Sequence, residues 1–111
     1  MTPAPIILVI SNCPIESAEH IAQALVESHH AACVTLTPVK SIYRWQGEIC
    51  VDQEVTLTAK VAQSSASSCV AQIRKLHPYE LPEILVLPVD AQQSLPEYLN
   101  WVQSECNPHK A

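Results

Sequence analysis

The sequence predicts one α+β domain with elements in the order β-α-β-β-α-β, followed by a further helix. Three observations carry this. Residues 6–10 form a short continuous apolar run, which suits a strand buried on both faces. Residues 49–61 alternate apolar and polar, interrupted only by Gln53, as a long half-buried strand does. Residues 16–29 and 66–76 space their apolar side chains at i, i+3 and i+4, as amphipathic helices do. That order is the split βαβ, ferredoxin-like sandwich, here with a long β-hairpin and an extra C-terminal helix.

The elements follow in turn. Ser11-Asn12-Cys13-Pro14 ends the first strand and puts Cys13 in a loop. The first helix buries a stripe of Ala18, Ile21, Ala22, Leu25 and Val26. His29 and His30 close it, where a helix C-terminus favours positive charge. Residues 32–45 are extended. Val34 and Leu36 share one parity, whereas Val39, Tyr43 and Trp45 share the other. The switch near Thr37-Pro38 predicts a β-bulge. Gln46-Gly47 predicts a two-residue hairpin turn, with the only glycine of the chain supplying a positive φ. Ser64 or Ser65 caps the second helix, whose stripe is Ala66, Cys69, Val70, Ile73 and Leu76. Residues 83–89 make the fourth strand. Ser94-Leu95-Pro96-Glu97 fits a capping box for the last helix. The ordered core is expected over about 6–105, with a frayed tail at 107–111. In this topology the first and last strands lie side by side and antiparallel, which brings residues 11–13 beside residues 77–83.

Composition excludes several function classes. The 111 residues suffice for one core. Hydrophobic residues make up 48% and charged ones 15%, too apolar for a disordered chain. Net charge is −5 and the densest basic cluster is Arg74-Lys75, which argues against a nucleic-acid partner. No apolar run approaches the about 18 residues of a membrane span. The first five residues lack the basic start of a signal peptide. The cysteines, Cys13, Cys33, Cys50, Cys69 and Cys106, are odd in number and include no CxxC. That pattern is neither a disulfide framework nor a structural zinc site, and it suits a cytoplasmic protein.

Residues 77–83 read His-Pro-Tyr-Glu-Leu-Pro-Glu, the most informative stretch of the chain. Pro78 and Pro82 fix φ and push His77 and Leu81 toward extended geometry. An imidazole, a phenol and two carboxylates thus stand rigidly at the mouth of a strand. Two readings stand for His77: a ligand or acid–base group, or a group bonding free carbonyls at the end of the second helix. Cys33 and Cys69 read as small core residues, and Cys13 is the best thiol candidate. Tyr43 and Trp45 either stack a ligand or pack between subunits. Lys60 and Glu54 read as a solvated pair on a polar face.

The hairpin strands are about twice as long as the central strands, so their distal half outruns the sheet. It would expose edges carrying Tyr43, Trp45 and Ile49. Open apolar edges invite another chain, which predicts pairing in a closed ring of subunits. The alternative is a C-terminal helix folded over the ribbon. An acylphosphatase-like hydrolase needs an arginine and an anion cradle after the first strand; residues 11–20 contain neither arginine nor glycine. A metallochaperone would want a CxxC there. No catalytic residue is assigned and no enzymatic reaction is expected.

Four segments occur in order: Leu25-Val26 through Ala31-Ala32-Cys33-Val34; Ser41-Ile42-Tyr43-Arg44-Trp45-Gln46-Gly47-Glu48; His77-Pro78-Tyr79-Glu80-Leu81-Pro82-Glu83-Ile84; and Tyr98-Leu99-Asn100-Trp101. Together they resemble the CutA family of divalent-cation-tolerance proteins from about residue 6 to 102. The resemblance implies a ferredoxin-like homotrimer joined through the 32–61 hairpin, a cytoplasmic location, and a metal response with copper binding but no defined reaction. The family's proposed copper ligands fall on Ser11, Leu76 and His77, of which only His77 is a ligand type. Cys13 lies two residues beyond Ser11. The implied metal contact is therefore His77 with Cys13, a weak site for Cu or Zn, with no obligatory cofactor. The implied inter-subunit cleft holds Tyr43, Trp45, Lys60, Tyr79 and Glu83. Two alternatives accompany this reading: a PII-like trimeric sensor of a small ligand, and a rigid trimeric scaffold for partner proteins.

Overall fold

The computed structural model describes residues 5–107. The expected tail therefore lies outside the described residues, save Asn107, as do residues 1–4. Four strands form one antiparallel sheet in the order β2-β3-β1-β4. They are β1 (Ile6–Cys13), β2 (Cys33–Trp45), β3 (Glu48–Ala62) and β4 (Ile84–Pro88). Helix α1 (Ile15–Glu27) connects β1 to β2, α2 (Ala66–Leu76) connects β3 to β4, and α3 (Pro96–Glu105) follows. This is the expected ferredoxin-like order with its additional helix.

Register decides which residues meet. Ile7, Val9 and Ser11 of β1 stand opposite Val61, Ala59 and Leu57 of β3. These residues share one face and are buried with Ala18, Ile21 and Leu25 of α1 and Cys69 and Ile73 of α2. Each fully buried aliphatic side chain stabilises the fold by about 1.5–3 kcal/mol before entropy is counted. Helix α3 lies against the other face, where Leu99 packs by Ile6 and Leu8. On the same face, beyond the helix, Leu85 and Leu87 of β4 are exposed.

Several local expectations change. The β2–β3 ladder runs unbroken from Cys33↔Lys60 to Trp45↔Glu48, so there is no bulge at Thr37-Pro38. Pro38 is tolerated because β2 is an edge strand. The parity switch marks a second apolar face instead. Past Val55, where β1 ends its pairing, residues 48–54 of β3 pair with β2 alone. That ribbon extends about 23 Å at the ordinary strand rise. One of its faces carries Ile42, Ile49 and Val51; the other carries Tyr43 and Trp45. Ile42 is 69% exposed and Ile49 61%. The molecule is correspondingly elongated, 51 × 30 × 20 Å. C-terminal helix α3 packs at the root of the hairpin and does not fold over the ribbon. The hairpin turn is as expected: Gln46 and Gly47 have φ of 50° and 82°, the pair of positive values that a tight turn between twisted strands requires.

Helix ends also differ from expectation. Helix α1 closes through its backbone rather than through charge. His30 N–H donates to Leu25 O and His29 N–H to Val26 O, with His29 left-handed at φ 60°. Burial pushes the His30 imidazole below its ordinary value, which disfavours the positive form. Ser65 holds the N-cap position of α2, but its hydroxyl makes no cap bond. Ser94 does not cap α3: its Oγ donates to Asp90 O, Leu95 is the N-cap, and Pro96 starts the helix with a preset φ.

Candidate functional site

The loop after α2 returns the chain to β1. Ser11 pairs with Ile84 at the start of β4, so residues 77–83 meet the end of β1 as the topology requires. His77 is 7% exposed and fastens this junction. Its Nε2–H donates to Asn12 O at 2.8 Å, and its Nδ1 accepts from Tyr79 N–H at 3.2 Å. That pattern assigns the neutral Nε2–H tautomer and uses both ring nitrogens. The ring packs on Tyr79 with centroids 4.8 Å apart. The carbonyl it bonds belongs to β1, not to the helix it terminates.

Cys13 is not in a loop. It is the last residue of β1, opposite Val55, and fully buried. Its thiol approaches Ser11 Oγ at 4.0 Å, and burial pushes it above its ordinary pKa. A metal needs a free imidazole lone pair or a thiolate. His77 and Cys13 as placed offer neither, and no group of three or more His, Cys, Asp or Glu among the described residues is arranged to hold an ion. The donor set does not fit a resident metal.

On the opposite side of Asn12 an open cleft of about 440 Å³ separates the loop from the hairpin. Tyr43, Trp45, Tyr79 and Glu83 line it, together with Asn12 and Glu54. Four of the five residues expected at an inter-subunit cleft thus line one cleft within the chain. Lys60 is not among them: it stands further along β3, bonded to Thr35 and Cys33 rather than to Glu54. Glu54 is only 6% exposed and accepts from Tyr79 Oη–H at 2.8 Å. Thr56 Oγ1 donates to Asn12 Oδ1 at 2.7 Å beside it. Tyr43 donates to Asp52. The hydrogen bond to that carboxylate pushes the Tyr43 phenol up to about 12. Burial, then the bond to Glu54, pushes Tyr79 up as well. Both phenols therefore remain protonated donors at neutral pH, and the cleft can bind through aromatic faces, carboxylates and hydrogen bonds.

Glu54 and Asn12 were missed as site residues. Strand alternation puts Glu54 on the polar face, which reads as solvent. The signal lay in topology: the 77–83 loop was expected beside residues 11–13, and Val55 is the partner of Cys13. An adjacent carboxylate on the Asn12 side of the sheet is the natural acceptor for Tyr79.

A ferredoxin-like α+β domain with an overlong hairpin and an aromatic cleft between that hairpin and the 77–83 loop defines the class. Residues 7–105 match the family model described as CutA1 divalent ion tolerance protein. The chain belongs to that family. It is 44% identical over 89 residues to the divalent-cation tolerance protein CutA of Thermus thermophilus, covering 79% of this chain and 84% of that protein. It is 41% identical over 102 residues to mouse Protein CutA, covering 90% of this chain but 56% of the mouse protein's length. Among solved structures, the PII-like protein CutA from Nostoc sp. PCC 7120 superposes with a TM-score of 0.89 at 46% identity, covering 91% of this chain and 97% of that one. A CutA from Archaeoglobus fulgidus, described as a periplasmic divalent cation tolerance protein, gives 0.86 at 28% identity, covering 92% and 99%.

Proposed function

We propose that the chain acts as a non-catalytic homotrimer in divalent-cation tolerance, assembled through the hairpin at residues 32–61. One observation carries the assembly: past Val55 the ribbon exposes large apolar side chains on both faces, Ile42, Ile49 and Val51 on one and Tyr43 and Trp45 on the other. Covering both faces takes two neighbours, which a closed ring supplies and a two-fold dimer does not. Exposed Leu85 and Leu87 extend the surface available for burial. Sedimentation equilibrium tests this, with a particle of three chains expected.

A cytoplasmic location fits the five free thiols. No helix among the described residues is long and apolar enough to cross a membrane. Direct contact with Cu or Zn through Cys13 and His77 enters this reading only as a weak, exchangeable event. Metal would have to displace the bonds to Asn12 and Tyr79 and deprotonate a buried thiol. Titration with Cu(I), Cu(II) and Zn(II) tests this. Equal affinity in wild type, His77→Ala and Cys13→Ser removes both residues from metal binding.

The cleft favours one second reading, a sensor of a small ligand in the PII-like manner. Glu54, Tyr43 and Tyr79 present fixed polar groups between aromatic walls, as small-molecule sites do. A crystal structure of the assembled protein soaked in cell extract metabolites would show density among these residues under this reading.

A further inference from the structure

The sheet face beside α3 carries a groove of about 360 Å³. Leu8, Leu95 and Leu99 are among its walls, and Lys60 enters it from β3. Leu85 and Leu87 are exposed on the same face. On a face that assembly would cover, such a hollow suits an anchor side chain from another copy.

Lys60 decides which anchor fits. It is half-buried, and among the described residues it makes no ion pair. Its Nζ donates to Thr35 Oγ1 and lies 4.0 Å from Cys33 Sγ. A hydroxyl and a thiol hold the ammonium in place without neutralising it, and a partly desolvated charge favours a carboxylate partner.

The distal ribbon offers two faces of opposite charge. Lys40 and Arg44 share one face with Ile42, Ile49 and Val51. Glu48, Asp52 and Glu54 share the other with Tyr43 and Trp45. The acidic face complements Lys60, whereas the basic face would set like charges together. Within the acidic face, Tyr43 donates to Asp52 and Tyr79 to Glu54. Glu48 is exposed and has no such partner among the described residues. Its cross-strand partner is Trp45, which edges the cleft of its own chain and is still 41% exposed. The ribbon tip thus sets an aromatic anchor beside an unpaired carboxylate, and the groove sets apolar walls beside an unpaired ammonium.

We propose that the ribbon tip of one protomer docks into the α3 groove of the next, with Trp45 against Leu8 and Leu95 and Glu48 paired with Lys60. Tip and groove are different patches of one chain, so the contact runs head to tail, as a closed ring requires. This docking presupposes the homotrimer proposed above and adds to it the ribbon face, its seat and the ion pair between them.

The test is charge reversal in the full chain, read by sedimentation equilibrium. Glu48→Lys and Lys60→Glu should each weaken assembly at least about tenfold per contact, and the double variant should return to within about threefold of wild type. Leu95→Glu, at the groove wall, should weaken assembly at least about tenfold. Ile15→Glu, on α1 away from the groove, should leave assembly unchanged. Leu95 and Ile15 are 63% and 59% exposed, so these two variants keep the test decisive if Lys60→Glu fails to fold, which thermal melts would show. A wild-type chain that sediments as a monomer overturns the trimer and the docking together. A wild-type trimer left intact by Glu48→Lys or by Leu95→Glu, weakened alike by Leu95→Glu and Ile15→Glu, or not restored by a folded double reversal, overturns the docking alone.

Discussion

The root and the distal half of one hairpin obey different rules. At the root, Leu57, Ala59 and Val61 are fully buried, and on the opposite face of β3 Thr56 is bonded to Asn12. In the distal half, Ile42, Ile49 and Val51 are exposed on one face and Tyr43 and Trp45 on the other. The hydrogen-bond ladder is continuous through both halves, so backbone pairing does not distinguish them. Side-chain burial does. The root is stabilised within the chain, while the distal ribbon leaves large apolar side chains exposed, and the proposed assembly rests on them. Continuous strand geometry can therefore carry two separate burial codes, and a change of apolar parity records the boundary between them.

The largest effect should come from breaking the distal half. Ile42→Lys places a charge on one face and Trp45→Ser removes the anchor from the other. Each is expected to weaken assembly by at least about 2 kcal/mol per contact and to shift the protein toward single chains, read by sedimentation velocity. On a free surface the same changes would cost within about 0.5 kcal/mol and leave the mass unaltered. At the root, Leu57→Ala should lower unfolding free energy by about 2–5 kcal/mol, whether or not the chains assemble, because it empties a site buried within one chain. Denaturation at two protein concentrations separates the two effects.

Smaller effects probe the junction beside the root. His77→Ala removes partners from Asn12 O and Tyr79 N–H and should cost about 1–3 kcal/mol in chemical denaturation. Tyr79→Phe leaves the Glu54 carboxylate without its phenol and should cost a similar or smaller amount. The mildest effect is alkaline. All three tyrosines have folded-state pKa values raised above the unfolded value of about 10, Tyr43 through Asp52 and the others first through burial. A raised folded pKa contributes stability that is complete below the unfolded value and is lost as pH rises through the folded one. Stability should therefore fall above about pH 10, and phenolate absorbance should appear later in the native than in the unfolded protein. Asp52→Asn should bring one tyrosine back toward about 10.

The fold was legible because its signals are local and repeated. Alternation in β3, helical spacing in α1 and α2, and Gly47 at the turn each matched their element. The exceptions share a cause: a residue type has several structural uses. Ser11-Asn12-Cys13-Pro14 was read as a loop ending the first strand, but the strand continues through Ser11 and Asn12 to Cys13, because a proline need only follow the last paired residue. The parity switch was read as an inserted residue because a single sheet face was assumed. Ser94 has the spacing of a cap, yet its hydroxyl turns back to Asp90. The site was half legible. Sequence reasoning named Tyr43, Trp45, Tyr79 and Glu83, which do line one cleft, but grouped Lys60 with them. Residues on the same strand face can serve different concavities when a helix covers part of that face, and α3 does so here.

Sedimentation equilibrium of the wild-type chain tests the division of the hairpin most directly. A single species of three times the 12.2 kDa chain mass, unchanged on dilution through the micromolar range, is the predicted result. A stable monomer under the same conditions would contradict it, because the distal ribbon would then stand in water with both apolar faces bare.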